Sequence, residues 1–154
     1  MSEQTTHDHE GDADAPARTV VVAEDEALIR LDIVEILRER GYEVVAETDN
    51  GKTGIELAQK HRPNLVLMDV KMPIMDGITA AEEIGKEQIA PVVLLTAFSQ
   101  KELVDRAVEA GAMAYVVKPF PPNDLFPAIE VAIARYEQIR ALEKEVGTIR
   151  DQFE

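Results

Sequence analysis

The sequence predicts an α/β fold built on a parallel sheet, and three observations carry that expectation. Four apolar runs, VVVAED (20–25), LVLMD (65–69), VVLLTA (92–97) and AYVVKP (114–119), each end in a polar or charged residue. Strands of a parallel sheet are covered on both faces, so they read as unbroken aliphatic runs rather than as alternation. From Thr19 onward strand-like and helix-like segments alternate five times, and repeated β–α units imply parallel pairing with right-handed crossovers. A length of 154 residues with 45% hydrophobic residues suits one domain with extensions.

The elements follow in order. After the first strand, Leu28, Leu31, Ile33 or Val34, and Leu37 recur at helical spacing before Gly41, which reads as an amphipathic helix with a glycine stop. Tyr42 to Ala46 form a shorter second strand. Asn50-Gly51 open a second helix that ends before Pro63, and Asp76 is placed to cap a third beginning near Gly77. Ser99-Gln-Lys-Glu102 has the spacing of a capping box for the fourth helix, which stops near Gly111. Pro127 has no N–H to lose in a first turn, which puts the N-cap of the last helix near Asp124. No breaker stronger than Gly147 follows, so this helix runs for about 30 residues, roughly 45 Å. Along it Ile139, Leu142, Val146, Ile149 and Phe153 recur at the 3-4 spacing of a coiled-coil seam.

Composition sets limits. There is no cysteine for a disulfide framework, and no apolar stretch approaches the roughly 20 residues of a membrane span or resembles a signal peptide, so a cytoplasmic protein is expected. A formal charge of −14 argues against direct binding to nucleic acid, whose phosphates need clustered Lys and Arg. Residues 1–18 are acidic and poor in aliphatic side chains, the composition of a disordered tail. His7 and His9 there lack a third ligand at recognisable spacing and read as solvated. Met68, Met72, Met75 and Met113 read as adaptable packing rather than as a metal or redox site.

In an open α/β sheet the ligand crevice lies beyond the carboxyl ends of the strands. Each apolar run delivers a polar group there: Glu24 and Asp25, Asp69, Thr96 and Lys118. Each has a plainer reading, as a helix cap, a first-turn acid, a β-branched strand residue or a turn lysine. Three carboxylates, a hydroxyl and an ammonium in one crevice make a place to bind Mg²⁺ and to receive a phosphoryl group.

With DVKMPIMDG (69–77), these residues resemble the receiver domain of two-component response regulators, a likeness that runs from about Thr19 to Arg135. The resemblance implies a flavodoxin-like, doubly wound, five-stranded sheet of order 2-1-3-4-5. Helices one and five lie on one face and two, three and four on the other, with the switch point between strands one and three. It implies that Asp69 accepts the phosphoryl group from a sensor histidine kinase. Mg²⁺ would be held by Asp25, Asp69 and the main-chain carbonyl of Lys71, with Glu24 acting through water. Glu24 stands where many members have Asp, and its longer arm shifts the carboxylate. Thr96 would donate to the phosphoryl group, Ala97 would leave room for it, and Lys118 would offset its charge before a cis bond to Pro119. Tyr115 matches the aromatic switch that turns inward with Thr96 and alters the face formed by helix four, strand five and helix five. Such a domain takes part in its own phosphorylation and dephosphorylation without being an enzyme. Lys71 and Phe98 occupy positions that influence the phosphate lifetime.

The stretch TAFSQKELVDRAVEAGAMAYVVKPF is similar to the ANTAR-type transcription-antitermination regulators of actinobacteria, in which a small RNA-binding domain follows the receiver and a coiled coil. The expected organisation is a tail over 1–18, a receiver over 19–134 and a helical coiled-coil extension over 135–154, with RNA reached only through an output domain absent from these residues. An apolar seam still running at residue 154 favours a chain cut from a longer protein. The other reading is a stand-alone receiver that forms a homodimer through the C-terminal helix. Neither implies membrane contact. A haloacid-dehalogenase-type phosphatase also places a nucleophilic Asp at a strand end, but it needs a second Asp where Lys71 stands and a substrate cap that these short connections do not supply.

Overall fold

The computed structural model describes residues 17–97 and 101–153. Five strands, β1 (Thr19–Ala23), β2 (Glu43–Thr48), β3 (Leu65–Asp69), β4 (Val92–Thr96) and β5 (Ala114–Val117), alternate with five helices. These are α1 (Ala27–Glu39), α2 (Gly51–His61), α3 (Gly77–Lys86), α4 (Lys101–Glu109) and α5 (Pro122–Phe153). All pairings are parallel and the order is β2-β1-β3-β4-β5, the flavodoxin-like order expected. The chain reverses its direction of winding between β1 and β3.

Alternation within each run decides which layer a side chain joins. Val20, Val22, Leu65, Leu67, Val93 and Leu95 meet Ile33, Val34 and Leu37 of α1 and Leu125, Phe126 and Ile129 of α5. On the other face Val21, Ala23, Val66, Met68, Val92 and Leu94 meet Ala58 of α2, Ile78, Ala81 and Ile84 of α3, and Ala107 of α4. Each large side chain so buried contributes about 1.5–3 kcal/mol by removal from water. β1, β3 and β4 are covered on both sides, which is why they read so clearly in the sequence.

Local signals behave as their chemistry predicts. Gly41 adopts φ +87° and ends α1, with Tyr42 N–H donating back to the Leu37 carbonyl at 3.0 Å. Asn50 and Asp76 accept the N–H groups of Thr53 and Thr79, each at 2.8 Å. Ser99 of the expected capping box lies outside the described residues, as do Phe98, His7, His9 and the rest of residues 1–16.

Two expectations need correction. Leu28 and Leu31 do not face the core: they are 79% and 52% exposed. The buried stripe of α1 runs instead through Ile29, Ile33, Ile36 and Leu37, an i, i+4, i+7, i+8 set that leaves Leu28 and Leu31 on the other side. The last helix starts at Pro122 rather than after a cap near Asp124. Pro122 takes the first-turn position, and Pro127 falls inside the helix, where it has no N–H to give to the Asn123 carbonyl. Packing of Leu125, Phe126 and Ile129 on the sheet offsets that loss.

At 32 residues α5 has the length expected and extends past the sheet. Gln88, at the α3–β4 corner, clasps it there by donating to Glu143 at 3.1 Å and accepting from Arg140. Ile139 and Leu142 of the seam are 42% and 61% exposed, while the side chains of Val146, Ile149 and Phe153 lie outside the described ones. Among the described residues no helix is long and apolar enough to cross a membrane.

Candidate functional site

The strands are parallel, and the pairings of β1, β3, β4 and β5 put their carboxyl ends on one edge: Ala23 pairs with Met68, Asp69 with Leu95, and Thr96 with Val117. Glu24 and Asp25 follow β1, Asp69 ends β3, Thr96 ends β4 and Lys118 follows β5. At the reversal between β1 and β3, carboxylate oxygens of Glu24, Asp25 and Asp69 lie within 4.8 Å of one another. Glu24 is fully buried and Asp69 is 5% exposed, whereas Asp25 is open to solvent.

Lys118 enters this cluster from the far side of the sheet. Its Nζ stands 2.6 Å from Glu24 Oε1 and 3.4 Å from Asp69 Oδ1. The second oxygen of Glu24 accepts the Glu26 N–H at 3.1 Å. The Glu24 main chain is fixed as well, its N–H donating to the Thr48 carbonyl at 3.0 Å and its carbonyl accepting from Arg30 Nη1 at 2.6 Å. The longer arm of Glu24 therefore reaches the ammonium directly. The Lys118 N–H donates to the Thr96 carbonyl at 2.7 Å, and the Lys118–Pro119 peptide is cis.

The loop after Asp69 is held close by a glycine. A Cβ on Gly77 would stand 2.0 Å from the Asp69 carbonyl oxygen, so no other residue fits without moving the strand end. The Gly77 N–H donates to the Val70 carbonyl at 2.8 Å, and Asp76 caps the helix that starts there. The sequence MPIMDG thus turns tightly enough to leave the Asp69 side chain at the crevice.

Electrostatics follow from this crowding. Burial, then repulsion from Glu24, outweigh the attraction of Lys118 and push Asp69 up to about 7. For Lys118, burial pulls downward, but the hydrogen bond it donates to Glu24 and the charge of Asp69 win, and its pKa is raised. In the ion pairs of the described residues Glu24 and Asp69 of the three carboxylates meet the Lys118 ammonium, a balance that leaves the cluster net negative. Its donors are hard oxygens, one of them on an exposed side chain, and that set fits a small divalent cation.

Of the residues singled out in the sequence, Glu24, Asp25, Asp69 and Lys118 are together. Thr96 is buried at the adjoining strand end, one residue beyond the partner of Asp69, and Ala97 beside it is exposed. Lys71 is exposed in the loop after Asp69. Tyr115 is not in the crevice: it is 42% exposed and lines a groove between α4 and α5 with Val108, Ala112 and Val131. Sequence reasoning passed over Arg30. A cation in the first turn of a helix opposes the helix dipole, and that was the signal available.

Comparison with known proteins agrees with this geometry. Residues 20–130 match the response regulator receiver domain family. The chain is 59% identical over 144 residues to the transcriptional regulatory protein PdtaR of Mycobacterium tuberculosis, covering 93% of this chain and 70% of that protein. It is 40% identical over 114 residues to the chemotaxis protein CheY of Bacillus subtilis, covering 73% of this chain and 95% of that one. Among solved structures, a LuxR-family DNA-binding response regulator from Staphylococcus aureus superposes with a TM-score of 0.72 at 30% identity, over 75% of this chain and 98% of that one. The chain therefore belongs to the two-component response regulators, and residues 20–130 are its receiver domain.

Proposed function

We propose that this receiver is a switch driven by phosphorylation of Asp69 by a sensor histidine kinase in the cytoplasm. The observation that carries the reading is the cluster of Glu24, Asp25 and Asp69 with the Lys118 ammonium against it. An ionised Asp69 oxygen attacks the donor phosphorus, the bond from phosphorus to the kinase histidine breaks, and an acyl phosphate results. Mg²⁺, when bound, offsets the negative charge of carboxylates and phosphate and so favours the ionised form of Asp69. Asp25, Asp69 and the main-chain carbonyl of Lys71 would hold it, with Glu24 acting indirectly. Burial of Glu24, and the engagement of its oxygens by Lys118 and the Glu26 N–H, support that indirect part. Thr96 donates its hydroxyl to the phosphoryl group, and Ala97 leaves the space.

Tyr115 is the second half of the switch. It turns inward as Thr96 moves, and the face of α4, β5 and α5 repacks, a shift between two arrangements rather than a new fold. The exposure of Tyr115, Val108 and Val131 on that face supports the assignment. The output is an ANTAR-type RNA-binding antitermination domain beyond these residues. Support comes from the stretch 96–120 and from the likeness to a transcriptional regulatory protein. In this reading residues 1–18 are a tail, 19–134 the receiver and 135–154 the helical link.

Asp25→Ala is expected to weaken Mg²⁺ binding and phosphorylation by acetyl phosphate together, because this carboxylate is the exposed ligand. Magnesium titration followed by amide NMR reads it, and wild-type affinity in the variant would remove Asp25 from the site. Labelling should reach one phosphate per chain, without the sustained turnover of aryl phosphate that a phosphatase would show.

The length of α5 favours a second element, weak parallel self-association through residues 136–154 that sets two receivers side by side. About two heptads are close to the lower limit for helix association, and Gly147 costs about 1 kcal/mol against Ala. Sedimentation at several concentrations, with and without beryllofluoride, should show a dimer that strengthens with the phosphoryl mimic. A monomer throughout would make the seam a docking surface for the output domain instead.

A further inference from the structure

We infer that Arg30 is a positioning residue for the carboxylate site: from α1 it ties the turn that carries Glu24 and Asp25 to the end of β2. The inference rests on the metal-assisted phosphoacceptor reading above. Arg30 Nη1 donates to the Glu24 main-chain carbonyl at 2.6 Å, and Nε donates to Glu47 Oε1 at 3.3 Å. The guanidinium is the bridge between them, with its side chain 21% exposed.

The placement has a specific consequence. The Glu24 carbonyl belongs to the same planar peptide unit as the Asp25 N–H, so fixing that carbonyl fixes the plane from which Asp25 departs. On its other side Glu24 donates its N–H to the Thr48 carbonyl of β2. Both peptide units of residue 24 are thereby referred to the same edge strand, one directly and one through Arg30 and Glu47. Asp25 is exposed, so the backbone that carries it sets where its carboxylate stands. Glu24 differs: its carboxylate is already fixed by Lys118 and the Glu26 N–H. Losing Arg30 should therefore reach the site chiefly through Asp25.

Local helix preferences do not account for this arginine. It is the fourth residue of α1, where the helix dipole disfavours a cation. Its planar group presents donors on separate nitrogens, Nη1 to the carbonyl and Nε to the carboxylate, a spread that the single nitrogen of a lysine does not have. It also brings a positive charge to the back of the turn that carries Glu24 and Asp25.

The test is Mg²⁺ affinity measured by amide NMR for wild type, Arg30→Ala, Arg30→Lys, Glu47→Ala and Asp25→Ala, beside their thermal melting. Arg30→Ala should weaken Mg²⁺ binding by about tenfold or more, the range typical of lost partners behind metal ligands. Arg30→Lys should recover part of the loss, and Glu47→Ala should shift affinity in the same direction by less. A purely structural arginine would lower the melting temperature and leave the Mg²⁺ dissociation constant within twofold of wild type, which overturns the inference. Should Arg30→Ala not fold, Glu47→Ala at its exposed position decides, and unchanged affinity there overturns the tie to β2. Wild-type affinity in Asp25→Ala would overturn the underlying site reading as well; loss there with retention in Arg30→Ala removes the positioning role alone.

Discussion

Asp69→Asn is expected to abolish phosphoryl labelling and, in the absence of Mg²⁺, to make the protein more stable above neutral pH. The first half follows from chemistry, because the amide has no anionic oxygen to attack phosphorus. Intact-mass spectrometry after acetyl phosphate and Mg²⁺ checks it, and an undiminished adduct on the variant would take Asp69 out of the role. The second half follows from linkage. Asp69 is raised from 3.8 to about 7, so between those values the native state keeps a proton that the unfolded chain has released. Stability therefore falls as pH rises from about 4 to about 7, and stays at the lower level beyond. Asn is neutral and nearly isosteric and escapes that fall, a gain on the order of a few kcal/mol at most. Urea unfolding in EDTA at pH 5 and pH 8 should show the variant's advantage growing with pH. An equal advantage at both values would mean that the buried charge is not what strains the site. On the proposed function the strained group is the one that has to be ionised to react, so a cation at the cluster and phosphorylation should rise and fall together.

The sheet was legible because three of its strands are covered on both faces, and β1, β3 and β4 announce themselves as unbroken aliphatic runs. Parallel register then brings Glu24, Asp25, Asp69 and Lys118 to one edge from residue order alone. What was misread had two equally regular solutions. α1 contains both Leu28 with Leu31 and Ile29 with Ile33, and only contact with the sheet selects the second pair. Pro122 and Pro127 both suit a first turn, and the burial of Leu125 and Phe126 favours the earlier start. Arg30 was passed over for another reason: only its place in the first turn of α1 marked it, and its partner at 2.6 Å is a main-chain carbonyl, which leaves no mark in a sequence. The contact between Lys118 and Glu24 was half legible. The longer arm of Glu24 could be seen to shift its carboxylate, and the structure shows that the shift ends on the ammonium, 2.6 Å away.

That contact makes Lys118→Ala the substitution with the largest expected cost in stability. Glu24 is wholly buried, and without the ammonium no cation is left against its carboxylate among the ion pairs of the described residues, although the Glu26 N–H still donates to it. Breaking a buried pair from one side leaves an uncompensated charge, which typically costs about 3–5 kcal/mol. Lys118→Met, which keeps most of the stem but not the charge, should cost nearly as much, separating lost charge from lost packing. The pH dependence is fixed by the directions of the shifts. Lys118 is raised, so its contribution is complete below its unfolded value of about 10.4 and disappears only as pH climbs through the higher folded value. At pH 7 the wild type has all of it. In the variant Asp69 loses the attraction of Lys118 that opposes its upward shift and should hold its proton to higher pH, so the penalty is expected to be smaller at pH 5 than at pH 8. Mg²⁺, held as proposed by Asp25 and Asp69, should restore part of the stability by mass action, growing with the logarithm of its concentration over its dissociation constant. On the role proposed for Lys118, phosphorylation should nevertheless remain slow, because a cation at the carboxylates would not replace the ammonium offered to the phosphate. A variant as stable as wild type in EDTA at pH 8 would show that the Glu24 carboxylate does not depend on the Lys118 ammonium. If Mg²⁺ restored stability and full labelling rate together, Lys118 would be a structural counter-ion and not a participant in phosphoryl transfer.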